Sequence, residues 1–510
     1  MGKKRPCPAK GGTISAVDCG AQRGSKLACP AHCPYFPFGT EAYDSWLKVD
    51  GEWISKVAEY LRHKIGPRAM GELINKFKLR TEDPDMHAES AFYGALYYGL
   101  IRWRGPDGRT IAETWETEGW SGLNNDERVM MRYRRRSFVT IVEIQRILND
   151  KALKCIDLLR PGEESFTLFD RLTAANAARF DRILVWLTHY PHFSRIGAIG
   201  IAIPALLRER AIEAIRAMAH ERLNADCNIH DYLADNFVET AELLWEMQRQ
   251  HTVSMFRHMD ASHAVVTYRL QGPTQEVRTA LESKPEFQLA DDHEIAPGEQ
   301  PLAGYVWLRK GESKRIEKAL PQPFRHDDEE AGVGTLGNVK LFPDRLVIET
   351  FSRLKQEFAK KMIERYLGNR ITFEKESITD FAQQMADRIE SGEEENDNVR
   401  VRRHEQGEPL EMREQTSGAA EDSNTRLPKE QQQQLMERFF RSHYEKFLVD
   451  PVPALGGASP VEAAQDPQLR PRLIELMKGH INGIETDARR DALDLSIDWV
   501  VDRLGLHELQ

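Results

Sequence analysis

Apolar residues recur at helical spacing between residues 41 and 130. The segment 53–65 places six apolar side chains on one stripe, as in an amphipathic helix: Trp53, Ile54, Val57, Tyr60, Leu61 and Ile65. The segment 89–103 is apolar enough to predict a buried helix, which should end at the turn residues of 104–109. This part of the chain is therefore predicted to be helical.

The spacing changes between Ser137 and Pro204. Short runs rich in β-branched and aromatic residues are separated there by turn residues, and they predict a small sheet or barrel: 137–144, 152–159, 165–170 and 182–190. Helical spacing returns over 205–258. Four further runs of the same kind predict a second sheet, at 263–270, 304–309, 338–342 and 345–351.

Two helices have well-defined predicted ends. Ser352 can cap a helix whose apolar face continues to Gly368, where it should stop. In the C-terminal region, Ser459 is a predicted N-cap, with Pro460 at the first helical position and Glu462 completing a capping box.

At 510 residues the chain is too long for one core. Residues 391–428 are charged, polar and nearly free of aromatics, which predicts a disordered linker. The predicted fold class is a multidomain α+β protein with an N-terminal cysteine-rich zinc-binding module (1–40), a helical region (41–262) holding a small β-barrel-like unit (about 137–204), a second α+β unit (263–390), the linker (391–428) and a C-terminal helical module (429–510).

Four of the six cysteines lie near the N-terminus: Cys7, Cys19, Cys29 and Cys33. The last two flank three residues, a spacing found in pairs of zinc ligands. Four thiolates suit tetrahedral Zn²⁺, and a closed four-sulfur shell is structural because it leaves no open position for a substrate. Gly20 is expected to aim backbone amides at a thiolate. Zinc is therefore the predicted cofactor.

Three other interpretations of this cysteine cluster stay open: disulfides, an iron–sulfur cluster and unpaired thiols. Disulfides are disfavoured in a chain without a secretion signal, and iron–sulfur ligands usually have more compact spacings. His32 could replace a neighbouring cysteine as a ligand. The isolated Cys155 and Cys227 are interpreted as small core residues.

Charge is distributed unevenly. The net charge is −10, but residues 1–36 carry six basic side chains against the single acid Asp18. Such a basic segment is compatible with one localised contact to an anionic partner. No apolar run approaches membrane-spanning length and no secretory signal is recognised, so a cytoplasmic location without membrane contact is expected.

A second basic cluster lies just before the first β-rich region, at Arg132, Tyr133, Arg134, Arg135 and Arg136. Arginines interleaved with an aromatic ring suit phosphate contact and base stacking, so these five residues are a candidate nucleic-acid surface. The alternative is a solvated helix end, where arginines complement the helix dipole.

Other chemical signals in the sequence are weak. The string 332–337 matches a dinucleotide fingerprint, but a strand-like segment follows it where a helix is required. His251, His258 and His263 lack the i, i+4 spacing of metalloenzyme helices. No catalytic residue is assigned, although an active site assembled from distant residues would escape this reasoning.

Two segments resemble a known group of proteins. The box HYEKFLVDPVPALGGASPVEAA at 443–464 resembles the C-terminal region of uncharacterised bacterial proteins that often carry a SecA-type zinc-chelating (SEC-C) tail. The unit LGNVKLF…LVIETFSRLK, from Leu336, is similar to a strand–helix unit of the same group. Phe447 stands where that group often has tryptophan, and the compact SEC-C cysteine string is missing. The resemblance covers about a third of the chain and implies a zinc-associated bacterial cytosolic protein. The C-terminal box is also similar, more weakly, to the toxin-binding segment of some bacterial antitoxins.

Together these features predict a zinc-stabilised binding or adaptor protein that docks a protein or ribonucleoprotein partner. One alternative is an RNA- or DNA-binding protein that uses the basic cysteine segment and the cluster from Arg132 to Arg136. The other is a hydrolase or nuclease with a dispersed site. Loss of affinity with salt would distinguish a nucleic-acid partner from a protein partner.

Overall fold

A computed structural model describes residues 4–79, 84–160, 162–222, 228–290, 301–318, 334–392, 401–402 and 429–510. The chain forms two compact units, one of residues 1–247 with 397–510 and one of residues 248–396. The predicted α+β class is confirmed, since helices and two six-stranded sheets make up these units. The predicted linker lies almost entirely outside the described residues, as does Cys227.

The N-terminal head, residues 4–36, is a hairpin followed by a short helix and a loop. Strands β1 (Lys4–Cys7) and β2 (Gly12–Ser15) pair antiparallel, and α1 (Ala16–Gln22) begins at the Ser15 cap. Arg23 anchors the head to the rest of the first unit, because its Nε donates to Asp126 Oδ1 at 2.7 Å. Phe36 and the following Phe38 are both fully buried in the main core of that unit.

Four helices follow the head: α2 (Tyr43–Lys76), α3 (Pro84–Ile101), α4 (Ile111–Thr117) and α5 (Asn125–Arg134). Helix α2 is kinked where Gly66 takes a φ of 82° before Pro67. Capping boxes start α4 at Thr110 and α5 at Asn124. The predicted apolar stripe is buried in this core through Trp53, Val57 and Leu61.

Five strands then close into a small barrel, as the sequence predicts for about 137–204. They are β3 (Phe138–Ile147), β4 (Ala152–Asp157), β5 (Phe166–Phe169), β6 (Arg182–His189) and β7 (Ser194–Ile203), with α6 (Arg171–Asn176) between β5 and β6. The order around the barrel is β3-β4-β5-β7-β6, and β6 pairs back to β3. The interior is filled by side chains that include Val142, Leu153 and Cys155.

This barrel has the topology of an OB-fold. Its third and fifth strands, β5 and β7, pair parallel, whereas the other barrel pairs are antiparallel. A helix separates its third strand from its fourth. OB-folds are five-stranded Greek-key barrels that hold oligonucleotides or oligosaccharides across strands 2 and 3 and their loops.

Three helices lead out of the barrel: α7 (Arg208–Arg222), α8 (Ile229–Asp235) and α9 (Phe237–His258). Helix α8 packs on β3, where His230 Nδ1 lies 2.8 Å from the Val139 carbonyl oxygen. The chain passes into the second unit within α9.

The second unit is an antiparallel sheet with two helices packed on one face. Its elements are β8 (Ser262–Leu270), α10 (Thr274–Glu282), β9 (Phe287–Leu289), β10 (Ala303–Leu308), β11 (Thr335–Leu341), β12 (Arg345–Thr350), α11 (Arg353–Leu367), β13 (Ile371–Asp380) and α12 (Phe381–Ser391). The strand order is β13-β8-β12-β11-β10-β9. Helix α11 begins at the Ser352 cap and ends at Gly368, as predicted.

The C-terminal residues return to the first unit. Strand β14 (Val401–Arg402) pairs with β7, and four helices follow: α13 (Lys429–Phe447), α14 (Pro460–Gln465), α15 (Arg470–Asp491) and α16 (Asp498–Leu504). The predicted capping box at Ser459 is present. No helix within the described ranges is both long and apolar enough to cross a membrane.

These four helices, the tail, share one apolar core, and α15 contacts the barrel directly. Glu143 of β3 is fully buried and accepts from Arg182 Nε at 2.6 Å and from Lys478 Nζ of α15 at 2.8 Å. Phe180, before β6, lies in the apolar core of the tail. The sequence predicts a module beyond a linker, whereas the structure joins residues 429–510 to the barrel through charged and apolar contacts.

Candidate functional site

The four N-terminal cysteines are brought together and buried. Cys7 and Cys19 form a small cluster with Ile14, and Leu27 and Tyr35 pack against it. Cys29 and Cys33 belong to the neighbouring main core, against which Leu27 and Tyr35 also pack. All four are free thiols at most 7% exposed.

The Cys29 thiol lies within electrostatic range of the other three N-terminal cysteines. Burial raises the pKa of the Cys29 thiol, the Gly24 backbone amide lowers it by hydrogen bonding, and the nearby Cys33, Cys19 and Cys7 raise it further. The amide aimed at a sulfur is therefore that of Gly24, not that of Gly20, which lies within α1. Within the described ranges, no group of three or more His, Cys, Asp or Glu side chains is arranged to hold a metal ion.

Two further predictions concern His32 as a substitute ligand and Cys155 as a core residue. His32 is exposed, whereas the cysteines on either side of it, Cys29 and Cys33, are buried. Cys155 is fully buried inside the barrel, as predicted for a small core residue. Burial raises the pKa of its thiol well above the ordinary value, so it stays protonated at neutral pH.

The head contacts the loop between β6 and β7. His192 Nε2 of that loop lies 2.8 Å from the Cys29 carbonyl oxygen, and the rings of Phe36 and His192 pack edge to face with centroids 6.0 Å apart. Three lysines of the head, Lys4, Lys10 and Lys26, are exposed. The head thus places positive charge near one end of the barrel.

The cluster from Arg132 to Arg136 is not one surface. Arg134 is only 1% exposed, because it points inward from α5 together with Glu127 and Met130. Its guanidinium pairs with the buried Asp50 at 2.5 Å and lies 4.1 Å from the centre of the Trp53 ring. A group enclosed in this way cannot contact a nucleic acid.

The other members of that cluster are divided as well. Arg135 pairs with Glu116, and Tyr133 is half-buried against Phe38. Arg132 and Arg136 alone are exposed. The predicted five-residue surface is therefore corrected to two arginines. The helical spacing of Glu127, Met130 and Arg134 is the sequence signal that could have assigned Arg134 to the inward face.

A different set of cations lies on the hairpin of β3 and β4. Arg146 is exposed near the end of β3, and Lys151 and Lys154 follow in the turn and in β4. In the part of the chain that the structure describes, none of the three pairs with a carboxylate; Lys154 Nζ reaches only the Ser165 carbonyl oxygen, at 3.4 Å. Asp150 is the one acidic residue of the turn. Sequence reasoning missed this set because its members are dispersed.

A polar groove of about 630 Å³ lies between this hairpin and the tail. Its charged lining consists of Arg146, Arg179, Arg489, Glu485, Asp494 and Asp498. Arg179 is held by both Glu485 and Asp498. Because three arginines face three carboxylates, the groove itself has no excess of charge to attract a polyanion.

The second unit exposes several large apolar side chains: Met255, Leu289, Leu302, Phe351, Leu354, Phe373, Ile378 and Phe381. The rings of Phe351 and Phe381 both stack on His263, with centroids 5.4 and 6.5 Å from it. Phe351 is 67% exposed. Grouped exposed apolar residues are typical of interaction surfaces.

Comparisons with models of known protein families, with curated proteins and with solved structures return no match to this chain.

Proposed function

We propose that this chain binds single-stranded nucleic acid across the β4–β5 side of its barrel, between the β3–β4 turn and the N-terminal head. The observation that carries the proposal is an OB-type barrel whose hairpin holds three cations, Arg146, Lys151 and Lys154, which have no carboxylate partner among the described residues. In OB-folds, strands 2 and 3 and their flanking loops form the binding face.

Cations at the two ends of the barrel define the path that a bound strand would follow. At one end, the hairpin supplies Arg146, Lys151 and Lys154. At the other end, the head contacts the β6–β7 loop through His192 and exposes lysines that include Lys10 and Lys26. Cations along a groove follow a phosphate backbone without reading its sequence, so little base specificity is expected.

The covered part of the barrel limits the binding path. Ala152 and Phe169, which pair across β4 and β5, are buried against the helical core. The next pair on the same face of these strands, Lys154 and Thr167, is only half-buried. A bound strand would therefore cross the barrel at Lys154 rather than over its whole face.

The test is binding of labelled oligothymidine and oligouridine by fluorescence anisotropy over a salt series. We expect Arg146→Ala/Lys151→Ala/Lys154→Ala to weaken binding at least about tenfold at low salt. The slope of log affinity against log salt should shrink by about two, because each phosphate contact on a single strand contributes about 0.7. A duplex of the same length should bind more weakly to wild type.

The matched control removes the same charge elsewhere. Arg68→Ala/Arg278→Ala/Arg365→Ala deletes three arginines that pair with Glu72, Glu282 and Glu312 on other surfaces. It should bind like wild type. Absence of wild-type binding at about 50 mM salt, or equal losses in the two triple variants, would refute the nucleic-acid proposal.

A second candidate is docking of a protein or ribonucleoprotein partner through the second unit. The exposed rings of Phe351 and Phe381 favour it, because exposed aromatic groups are common anchors of interfaces. Phe351→Ser/Phe381→Ser should then release a salt-resistant partner that the hairpin triple variant retains. Loss of the partner from both variants, or from neither, would count against this surface.

A further inference from the structure

The head buries few apolar side chains. Besides its four cysteines, only Ile14 and Phe36 of residues 4–36 are buried. Segments below about 40 residues usually need disulfides, metals or a partner surface to fold. The head packs against the rest of the first unit, which contributes to its stability. Its cysteines are free thiols, so disulfides do not stabilise it further.

The backbone around the cysteines is folded into tight turns. Lys10 N donates to the Cys7 carbonyl oxygen at 3.1 Å, and Cys33 N donates to that of Pro30 at 3.0 Å. Phe36 N then donates to the Cys33 carbonyl oxygen at 3.0 Å. These bonds fold the backbone back on itself at Cys7 and at Cys33.

We propose that Cys7, Cys19, Cys29 and Cys33 bind one structural Zn²⁺ ion, a site that stands apart from the nucleic-acid proposal. As they are placed, the described side chains do not form a metal-ligand set, so binding would draw the four sulfurs together. Each thiol releases its proton to solvent as its sulfur bonds to the metal. Four thiolates around Zn²⁺ carry a net charge of −2.

The charge of the head fits such a centre. Lys4, Arg5, Lys10, Arg23 and Lys26 surround the cysteines in sequence, against Asp18 alone. Their positive charge would offset, within the head as a whole, the net charge of −2 of a four-thiolate zinc centre. A closed shell of four sulfurs leaves no position for a substrate, so the ion would stabilise the fold rather than react.

The test measures metal on the full chain purified under reducing conditions. Wild type, by elemental analysis, should hold about one zinc per chain. Cys29→Ser/Cys33→Ser should hold less than about a tenth of that. Cys155→Ala is the matched control, since it removes a buried thiol from the barrel interior, and it should keep its zinc.

A second measurement is independent of whether the double variant folds. Wild type stripped with a chelator and refilled with Co²⁺ should show the intense visible bands of tetrahedral cobalt thiolate. A wild-type chain that takes up neither zinc nor cobalt would overturn the proposal. So would iron in place of zinc, or full zinc content in the double variant.

Discussion

Arg208, the first residue of α7, is a buried cation with unsatisfied donors. Its side chain is 7% exposed, and Nε and Nη1 find no hydrogen-bond acceptor within the described residues. Burial lowers the pKa of its guanidinium, and the neighbouring Arg182 lowers it further. A buried guanidinium with unsatisfied donors destabilises the folded state, because the same donors hydrogen-bond to water in the unfolded chain.

Replacing Arg208 with leucine should therefore stabilise the first unit. We expect Arg208→Leu to raise the free energy of unfolding by about 1 to 3 kcal/mol. Urea denaturation followed by tryptophan fluorescence measures it, because only Trp307 of the nine tryptophans lies outside that unit.

Arg182→Leu is the contrasting variant. Arg182 donates to Glu143 and to Glu475, so its loss leaves a buried carboxylate with fewer partners. It should destabilise by about 3 to 5 kcal/mol. If Arg208→Leu proves as destabilising as Arg182→Leu, then Arg208 has a partner that contributes to stability.

His480 makes the stability of the tail depend on pH. Burial lowers its pKa, and the neighbouring His443 lowers it further; Nδ1 lies 2.7 Å from the Tyr444 hydroxyl oxygen. A histidine with a depressed folded pKa takes up a proton more readily when unfolded, so its stabilising effect holds above the unfolded pKa and is lost as pH falls below it. The pH range concerned begins at about 6.5 and extends downward.

We therefore expect the stability advantage of wild type over His480→Gln to shrink as pH falls from 7.5 to about 5. Urea midpoints at several pH values measure this difference. Ser442→Ala, which replaces an exposed residue of α13 that does not titrate, is the control and should show no such trend. A constant difference between wild type and His480→Gln would show that His480 protonates equally in both states.

At the scale of elements, the start of α14 tests how much one cap contributes. Ser459 Oγ accepts from the Glu462 amide at 3.3 Å, and Glu462 Oε2 accepts from the Ser459 amide at 2.8 Å. These bonds, with Pro460 at the first helical position, fix where the helix begins.

Ser459→Ala should lower the free energy of unfolding by about 1 kcal/mol, the usual cost of losing an N-cap. Thermal denaturation followed by circular dichroism is a suitable measurement. Ser442→Ala, at an exposed position inside α13, should change stability by less than about 0.5 kcal/mol. Equal effects of the two substitutions would mean that the capping bonds contribute nothing to stability.

Strand β13 is an element that sequence patterns did not predict. Nine of its ten residues are not buried, and its apolar residues, Ile371, Phe373 and Ile378, do not alternate regularly with polar ones along the strand. The strand forms because its backbone completes an edge of the sheet beside β8. Edge strands depend on the neighbouring strand more than on their own side chains.

At the scale of the whole molecule, we expect contacts with the tail to stabilise the barrel. Phe180 lies in the tail core, and Glu143 is covered by Lys478. Asn482 Nδ2 also donates to Asp181 Oδ1 at 2.7 Å. Removing the tail would expose these groups to water.

A chain truncated after residue 428 should therefore be destabilised in its first unit, contrary to the expectation of a tethered module. The second unit has its own core, which includes Tyr268, Trp307 and Ile363, and should remain protected. Hydrogen exchange with mass spectrometry distinguishes the two units. Unchanged protection of β3 and β6 after truncation would show that the tail does not stabilise the barrel.

Local sequence determined much of this fold. Four of the five barrel strands, β3 to β6, were predicted within a few residues, as were the caps at Ser352 and Ser459 and the end of α11 at Gly368. Strand β7 was not predicted as a run of its own. These features depend on neighbours in sequence: apolar alternation, a side-chain oxygen near free amides, and a glycine where the helix must end. The spacing of the four N-terminal cysteines predicted a zinc site, whereas their side chains, as described, are buried without forming a set of metal ligands.

Tertiary structure alone decided the rest. The parallel pairing of β5 with β7 closes the barrel, and the docking of the tail on Glu143 and Phe180 joins segments far apart in sequence. Arg134 was predicted at the surface but lies in the core, because Asp50, from another helix, compensates its charge there. Pairing partners of this kind are chosen by proximity in the folded chain, which no local pattern of residues records.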